Sequence, residues 1–150
     1  MAASIPEVAD DQSVAERFFQ ITRMIERLYR RHLDMLQFEL DRLGVDGISA
    51  AQALMLTKMG GQSISVRDLI ERRYYLGSNV SYNIKHLVKC SLVVQERSSH
   101  DRRSLRVNLP DKGEELCLQI AQAEEKYAVA LDEPKEVEAA CQLLRRLETN

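Results

Sequence analysis

Apolar residues recur at helical spacing from Val14 onward, at Phe18, Ile21, Ile25 and Leu28 and then at Leu36, Leu40 and Leu43. Ser13-Val14-Ala15-Glu16 in front of them is a capping box, and Gly44 behind them is a C-terminal stop. The pattern predicts one amphipathic helix of about 30 residues. A helix of that length exceeds what a small domain covers by itself, so part of its stripe is expected to bury against a partner subunit. Ser49-Ala50-Ala51-Gln52 repeats the capping chemistry and opens a second helix through Leu54, Met55 and Leu56 to the Gly60-Gly61 break. Ser65-Val66-Arg67-Asp68 opens a short third helix, which Tyr74-Tyr75-Leu76-Gly77 interrupts. Ser78 is then expected to cap a fourth helix with a core stripe of Val80, Ile84, Leu87 and Val88.

From Leu92 the period changes. Leu105, Val107 and Leu109 alternate with Arg106 and Asn108, and Val93-Val94-Gln95-Glu96 is rich in strand formers. Residues 97–104 between them read as a polar hairpin tip. Pro110 ends the second strand, a helix follows through Leu116, Ile120 and Ala123, and Pro134 sits in the first turn of a last helix carrying Val137, Ala140, Cys141, Leu144 and Leu147. The fold class expected is mainly α with a small β-hairpin wing. It is organised as a flexible arm (residues 1–12), a first dimerisation helix (13–48), a winged helix-turn-helix lobe (49–110) and C-terminal dimerisation helices (111–150).

Composition removes several classes of function. No apolar run approaches the roughly 20 residues of a membrane span, and the first residues lack the basic start and apolar stretch of a secretory signal, so a cytoplasmic protein is expected. Cys90, Cys117 and Cys141 show no CxxC spacing, and His32, His86 and His100 form no local motif; neither a disulfide framework, a metal nor a cofactor is expected. GxSxG, P-loop and HExxH patterns are absent, which argues against an enzyme.

Net charge is −2, but its distribution is uneven: residues 72–106 hold eight Lys and Arg against Glu96 and Asp101, while both flanks are acidic. A basic segment on an acidic protein is the footprint of polyanion binding. The segment coincides with the fourth helix and the hairpin. In a helix-turn-helix the second helix of the pair enters the major groove, and here it offers Ser78, Asn79, Ser81, Tyr82, Lys85, His86 and Lys89 away from the core stripe. Asn suits adenine, Ser suits base edges or phosphates, Tyr suits a thymine methyl or a phosphate, and Lys supplies charge. Arg97, Arg102 and Arg103 at the hairpin tip suit a minor groove, where negative potential is focused. Asp101 is expected to fix the Arg103 guanidinium through a bidentate pair. The rival reading is a winged-helix adaptor that binds other proteins.

Residues 49–113 resemble the MarR family of winged-helix regulators, in Leu92-Val93-Val94-Gln95-Glu96-Arg97, in Asp101-Arg102-Arg103 and in Leu109-Pro110-Asp111-Lys112-Gly113. The stretch from Tyr74 to Asn83 resembles the LdtR branch of that family. The resemblance implies a homodimer on pseudo-palindromic double-stranded promoter DNA, often released by a small molecule or an oxidant. It also implies an effector pocket between the dimer helices and the DNA-binding lobe, for which Tyr29, His32, Met55 and Met59 are the candidates. Two departures are visible. Pro110 stands where the family usually has a Thr cap, with Asp111 as the substitute, and the first helix lacks the cysteine on which the family's oxidant sensors rely.

Overall fold

The computed structural model describes residues 13–71, 77–101, 103–128, 131 and 133–149. Among these residues six helices and a small antiparallel sheet follow in the order α1 (Val14–Arg42), α2 (Ala50–Lys58), β1 (Ile64–Ser65), α3 (Val66–Glu71), α4 (Gly77–Lys89), β2 (Val94–Arg97), β3 (Leu105–Asn108), α5 (Asp111–Ala128) and α6 (Pro134–Thr149).

The helix ends follow local chemistry. Ser13 and Ser49 both close reciprocal capping boxes, with Glu16 and Gln52 respectively. At the other end of α1, Gly44 adopts a positive φ of 67° while the Gly44 and Val45 amides donate back to the carbonyls of Asp41 and Leu40. This is the Schellman arrangement. The end of α4 is built the same way, from the Ser91 and Leu92 amides to the carbonyls of Val88 and Leu87, but Ser91 takes the left-handed position at φ 61° in place of a glycine. The Ser65 hydroxyl accepts from the Asp68 amide and starts α3. Asp111 lies in the first turn of α5 and does not cap it, because the helix begins one residue after Pro110, whose carbonyl accepts from the Glu114 amide.

The wing is a three-stranded sheet in the order β1-β3-β2. Ile64 pairs with Val107 on one side of β3, and Val94 through Arg97 pair with Asn108 through Leu105 on the other. Strand β1 departs from the expected two-stranded hairpin: two residues are too few to show a period, and pairing to β3 alone creates it.

One core joins the elements. It takes Leu36 and Leu40 from the last turns of α1, Ala53, Met55, Leu56 and Met59 from around α2, Leu69 from α3, Val80, Ile84 and Leu87 from α4, Val107 from β3, and Leu116 and Ile120 from α5. Val88, expected in that stripe, is 37% exposed. Gly113 in α5 fits beneath the segment joining α4 to β2 so closely that a Cβ there would lie 2.2 Å from the Leu92 carbonyl oxygen. That approach holds α5 against the lobe.

The ends of the chain pack differently. Only Met35, Leu36, Glu39 and Leu40 of α1 are buried, leaving Val14, Phe18, Phe19, Met24, Ile25 and Leu28 exposed, and α6 buries none of its residues. No helix among the described residues is long and apolar enough to cross a membrane.

Candidate nucleic-acid interface

Helix α4 separates its residues cleanly. Val80, Ile84 and Leu87 are buried, while Asn79, Ser81, Tyr82, Lys85 and Lys89 are exposed, Tyr82 at 69%. At about 100° per residue, Asn79, Tyr82, Lys85 and Lys89 fall within roughly 120° of one another on the face opposite the core stripe. Ser78 belongs to α4, but its side chain lies outside the described residues, as does Arg102. The turn expected at Tyr74 to Leu76 also lies outside them.

His86 does not join the free face. Its Nε2 lies 2.5 Å from the carbonyl oxygen of Gly47, in the loop between α1 and α2. Asn83, on the same flank of α4, accepts a 3.0 Å hydrogen bond at Oδ1 from the Gln52 Nε2 of α2. The end of the helix is held from α5, where Lys112 Nζ donates to the Cys90 carbonyl at 3.0 Å. A cation at a helix C-terminus also complements the backbone dipole. Of these ties the sequence indicated none, because each joins residues more than twenty positions apart.

The wing tip is held by its own backbone. Ser98 and Ser104 amides donate to the carbonyls of Ser104 and Asp101, and Asp101 Oδ1 accepts from the Arg103 amide at 2.9 Å. This corrects the expected guanidinium pair: a carboxylate two residues ahead reaches the backbone N–H first and forms an Asx turn. The Arg103 side chain stays exposed, as does that of Arg97. Arg106, at the base of the wing, is committed to the protein through Ser63, with Nε 2.8 Å from its Oγ. Lys85, Lys89, Arg97 and Arg103 have no ion-pair partner among the described residues. Helix α3 packs against both α4 and β3, so one element spaces the helix from the wing.

The effector-pocket residues divide. His32 lines a groove of about 650 Å³ with Leu54, Thr57, Lys58, Cys117, Leu118, Ala121 and Glu124, and its Nε2 lies 3.4 Å from Glu124 Oε1. Tyr29, one turn earlier on α1, is half exposed and does not line the groove. Met55 and Met59 are 1% exposed and belong to the core. Their i, i+4 spacing puts them together on the inner face, and the outward positions Leu54, Thr57 and Lys58 form the groove wall instead. Burial, and after it Glu114, pushes the Cys117 thiol up to about 11, so it is a neutral thiol at physiological pH. Among the described residues no cluster of three or more His, Cys, Asp or Glu could hold a metal ion.

Comparison with known proteins agrees with this geometry. Residues 43–104 match the MarR family. The chain is 38% identical over 143 residues to the exopolysaccharide II synthesis transcriptional activator ExpG of Rhizobium meliloti (strain 1021), covering 93% of this chain and 73% of that protein. Among solved structures, it resembles a cysteine-to-serine mutant of MarR from E. coli complexed with operator DNA (TM-score 0.70, 20% identity, 91% and 99% of the two chains). It also resembles BpsR of Bordetella bronchiseptica, solved in connection with regulation of its DNA binding by 6-hydroxynicotinic acid (TM-score 0.67, 22% identity, 86% and 98%). The match across the lobe and the identity extending over nearly the whole chain lead to one conclusion: the protein belongs to the MarR family of winged-helix, DNA-binding transcriptional regulators.

Proposed function

We propose that the protein acts as a homodimer that reads a pseudo-palindromic promoter site, with α4 in the major groove and the wing tip in the adjacent minor groove. The observation that carries this reading is the free face of α4: Asn79, Tyr82, Lys85 and Lys89 are exposed together on the side away from the core, with Ser81 exposed on its flank and Arg97 and Arg103 exposed at the wing tip. Ser78, at the start of the same helix, and Arg102, next to Arg103 in the sequence, are included in the proposed surface. Asn79 and Tyr82 lie in the early turns, the end of a recognition helix that meets base edges, and Lys89 lies at the far end, suited to phosphate.

Dimerisation is supported by the uncovered apolar faces of α1 and α6, which leave more large hydrophobic side chains in water than a stable monomer tolerates. Release by a small molecule is supported by the His32 groove, whose walls come from α1, α2 and α5 and combine Leu54, Leu118 and Ala121 with His32, Lys58 and Glu124. A ligand there touches both the long helix and the lobe. The regulation of BpsR by 6-hydroxynicotinic acid makes a small polar aromatic a reasonable first probe.

The test uses a duplex selected by the wild-type protein from a random-sequence pool and a scrambled duplex of the same composition. Asn79→Ala and Tyr82→Ala should each reduce discrimination between the two by about 1 to 3 kcal/mol. Parallel loss on both duplexes would remove base reading from α4. Sedimentation showing a stable 17.2 kDa monomer at micromolar concentration would overturn the dimer.

A further inference from the structure

We infer that Gln52, buried between α2 and α4, is a positioning residue for base reading and acts through Asn83. The inference rests on the reading of α4 as the base-reading helix. Gln52 is 9% exposed and uses both ends of its amide: Oε1 accepts from the Ser49 backbone amide in the capping box of α2, and Nε2 donates to Asn83 Oδ1 of α4. Its own backbone amide donates to the Ser49 hydroxyl. The orientation of Asn83 is therefore fixed by a side chain whose other end is fixed by the start of α2.

Asn83 follows Tyr82 directly and lies one turn after Asn79, so a rotation of α4 about its axis moves all three together. Buried Val80, Ile84 and Leu87 resist lateral movement but are non-directional and tolerate small rotations. A hydrogen bond between two part-buried amides does not, since it weakens steeply off its preferred line. The His86 contact to Gly47 sits three residues further along the same flank, giving α4 a second polar tie to the elements that follow α1.

The chemistry of the pair supplies a test that a general packing role cannot imitate. Gln52→Glu keeps the capping acceptor and still pairs with Asn83 once the Asn83 amide turns over and donates. Asn83→Asp keeps the acceptor for Gln52. Either single variant of the full-length protein preserves one donor and one acceptor, whereas the double variant Q52E/N83D sets two carboxylates together and loses the bond. The affinity ratio between the selected and scrambled duplexes, measured at pH 7.5, should stay within about twofold of wild type in each single variant. It should fall about fivefold or more in the double, a coupling of the size seen between contacting residues. Ser49→Ala, which removes the other half of the capping box, should lower the melting temperature and leave the ratio unchanged.

A loss of ratio in Asn83→Asp alone would mean that Asn83 reads DNA itself, and an unchanged ratio in a folded double variant would mean that the bond only stabilises; either overturns the proposal. Loss in Ser49→Ala would assign the effect to the cap and overturn it as well. Asn83→Ala, which keeps Gln52 and its cap, should lower the ratio about as far as the double variant and serves in its place if the double does not fold; an unchanged ratio there also overturns the proposal. If Asn79→Ala and Tyr82→Ala leave the ratio intact, the reading of α4 fails. If they lower it while the double variant does not, the Gln52 proposal alone fails.

Discussion

Replacing Gly113 by alanine sets two effects of opposite sign against each other. Alanine favours a helix over glycine by up to about 1 kcal/mol, so on propensity alone the variant should be more stable. The new Cβ, however, would lie 2.2 Å from the Leu92 carbonyl oxygen and 3.2 Å from its carbonyl carbon. An ordinary carbon–oxygen contact is no shorter than about 3.3 Å, so the backbones must part by about 1 Å. The neighbour is main chain, which has no rotamer to swing away, and the segment it belongs to includes the buried Leu92 and Val93. Overpacking of this kind costs typically 1 to 3 kcal/mol, and a backbone neighbour places the cost near about 3. The net is a destabilisation of about 2 kcal/mol, or roughly 4 to 8 °C in Tm for a chain of this size. Thermal unfolding at one fixed protein concentration measures it, because Tm depends on concentration for any chain that self-associates. Gly60→Ala is the internal control: its Cβ would meet only the Thr57 carbonyl oxygen at 3.5 Å, and stability should change by no more than about 0.5 kcal/mol. A Gly113→Ala variant as stable as the parent would refute the close approach of α5 to the wing lobe.

Three further outcomes follow from particular residues. Ser91→Gly should raise Tm by about 2 to 4 °C, since it relieves roughly 1 kcal/mol of left-handed backbone cost at φ 61° while keeping the Schellman bonds; a lower Tm would contradict this. Lys89→Ala should weaken selected and scrambled duplexes alike and reduce the salt slope by about one unit per lost phosphate contact, about two for a symmetric dimer, in titrations at several salt concentrations. Cys117 is held protonated by burial, raised from 9.0 to about 11, so the folded state keeps a proton that the unfolded state releases. Stability drawn from this group is therefore complete below pH 9 and declines as pH rises from about 9 towards 11, and iodoacetamide labelling of Cys117 should still be accelerating at pH 10. A labelling rate that levels off near pH 9 would be the wrong result.

Much of the helix architecture is written locally. Ser13, Ser49 and Gly44 act within three or four residues of their partners, and such signals need no tertiary context. The same holds for the alternation at Leu105, Val107 and Leu109 and for the localisation of positive charge on one helix and one hairpin, which points to the DNA surface from residue order alone. What the sequence left open, or misplaced, depends on residues far apart in the chain. Strand β1 exists only because Ile64 meets Val107, and Met55 and Met59 line the core rather than a pocket because α2 turns that side inward. His86 shares its helix with the exposed Asn79, Tyr82 and Lys85, yet the loop at Gly47 claims it. Asp101 could have held a guanidinium or a backbone amide, and the conformation of the tip decided for the amide. Periodicity reports which side of an element is apolar; only the folded chain decides what that side, and the polar flank beside it, will touch.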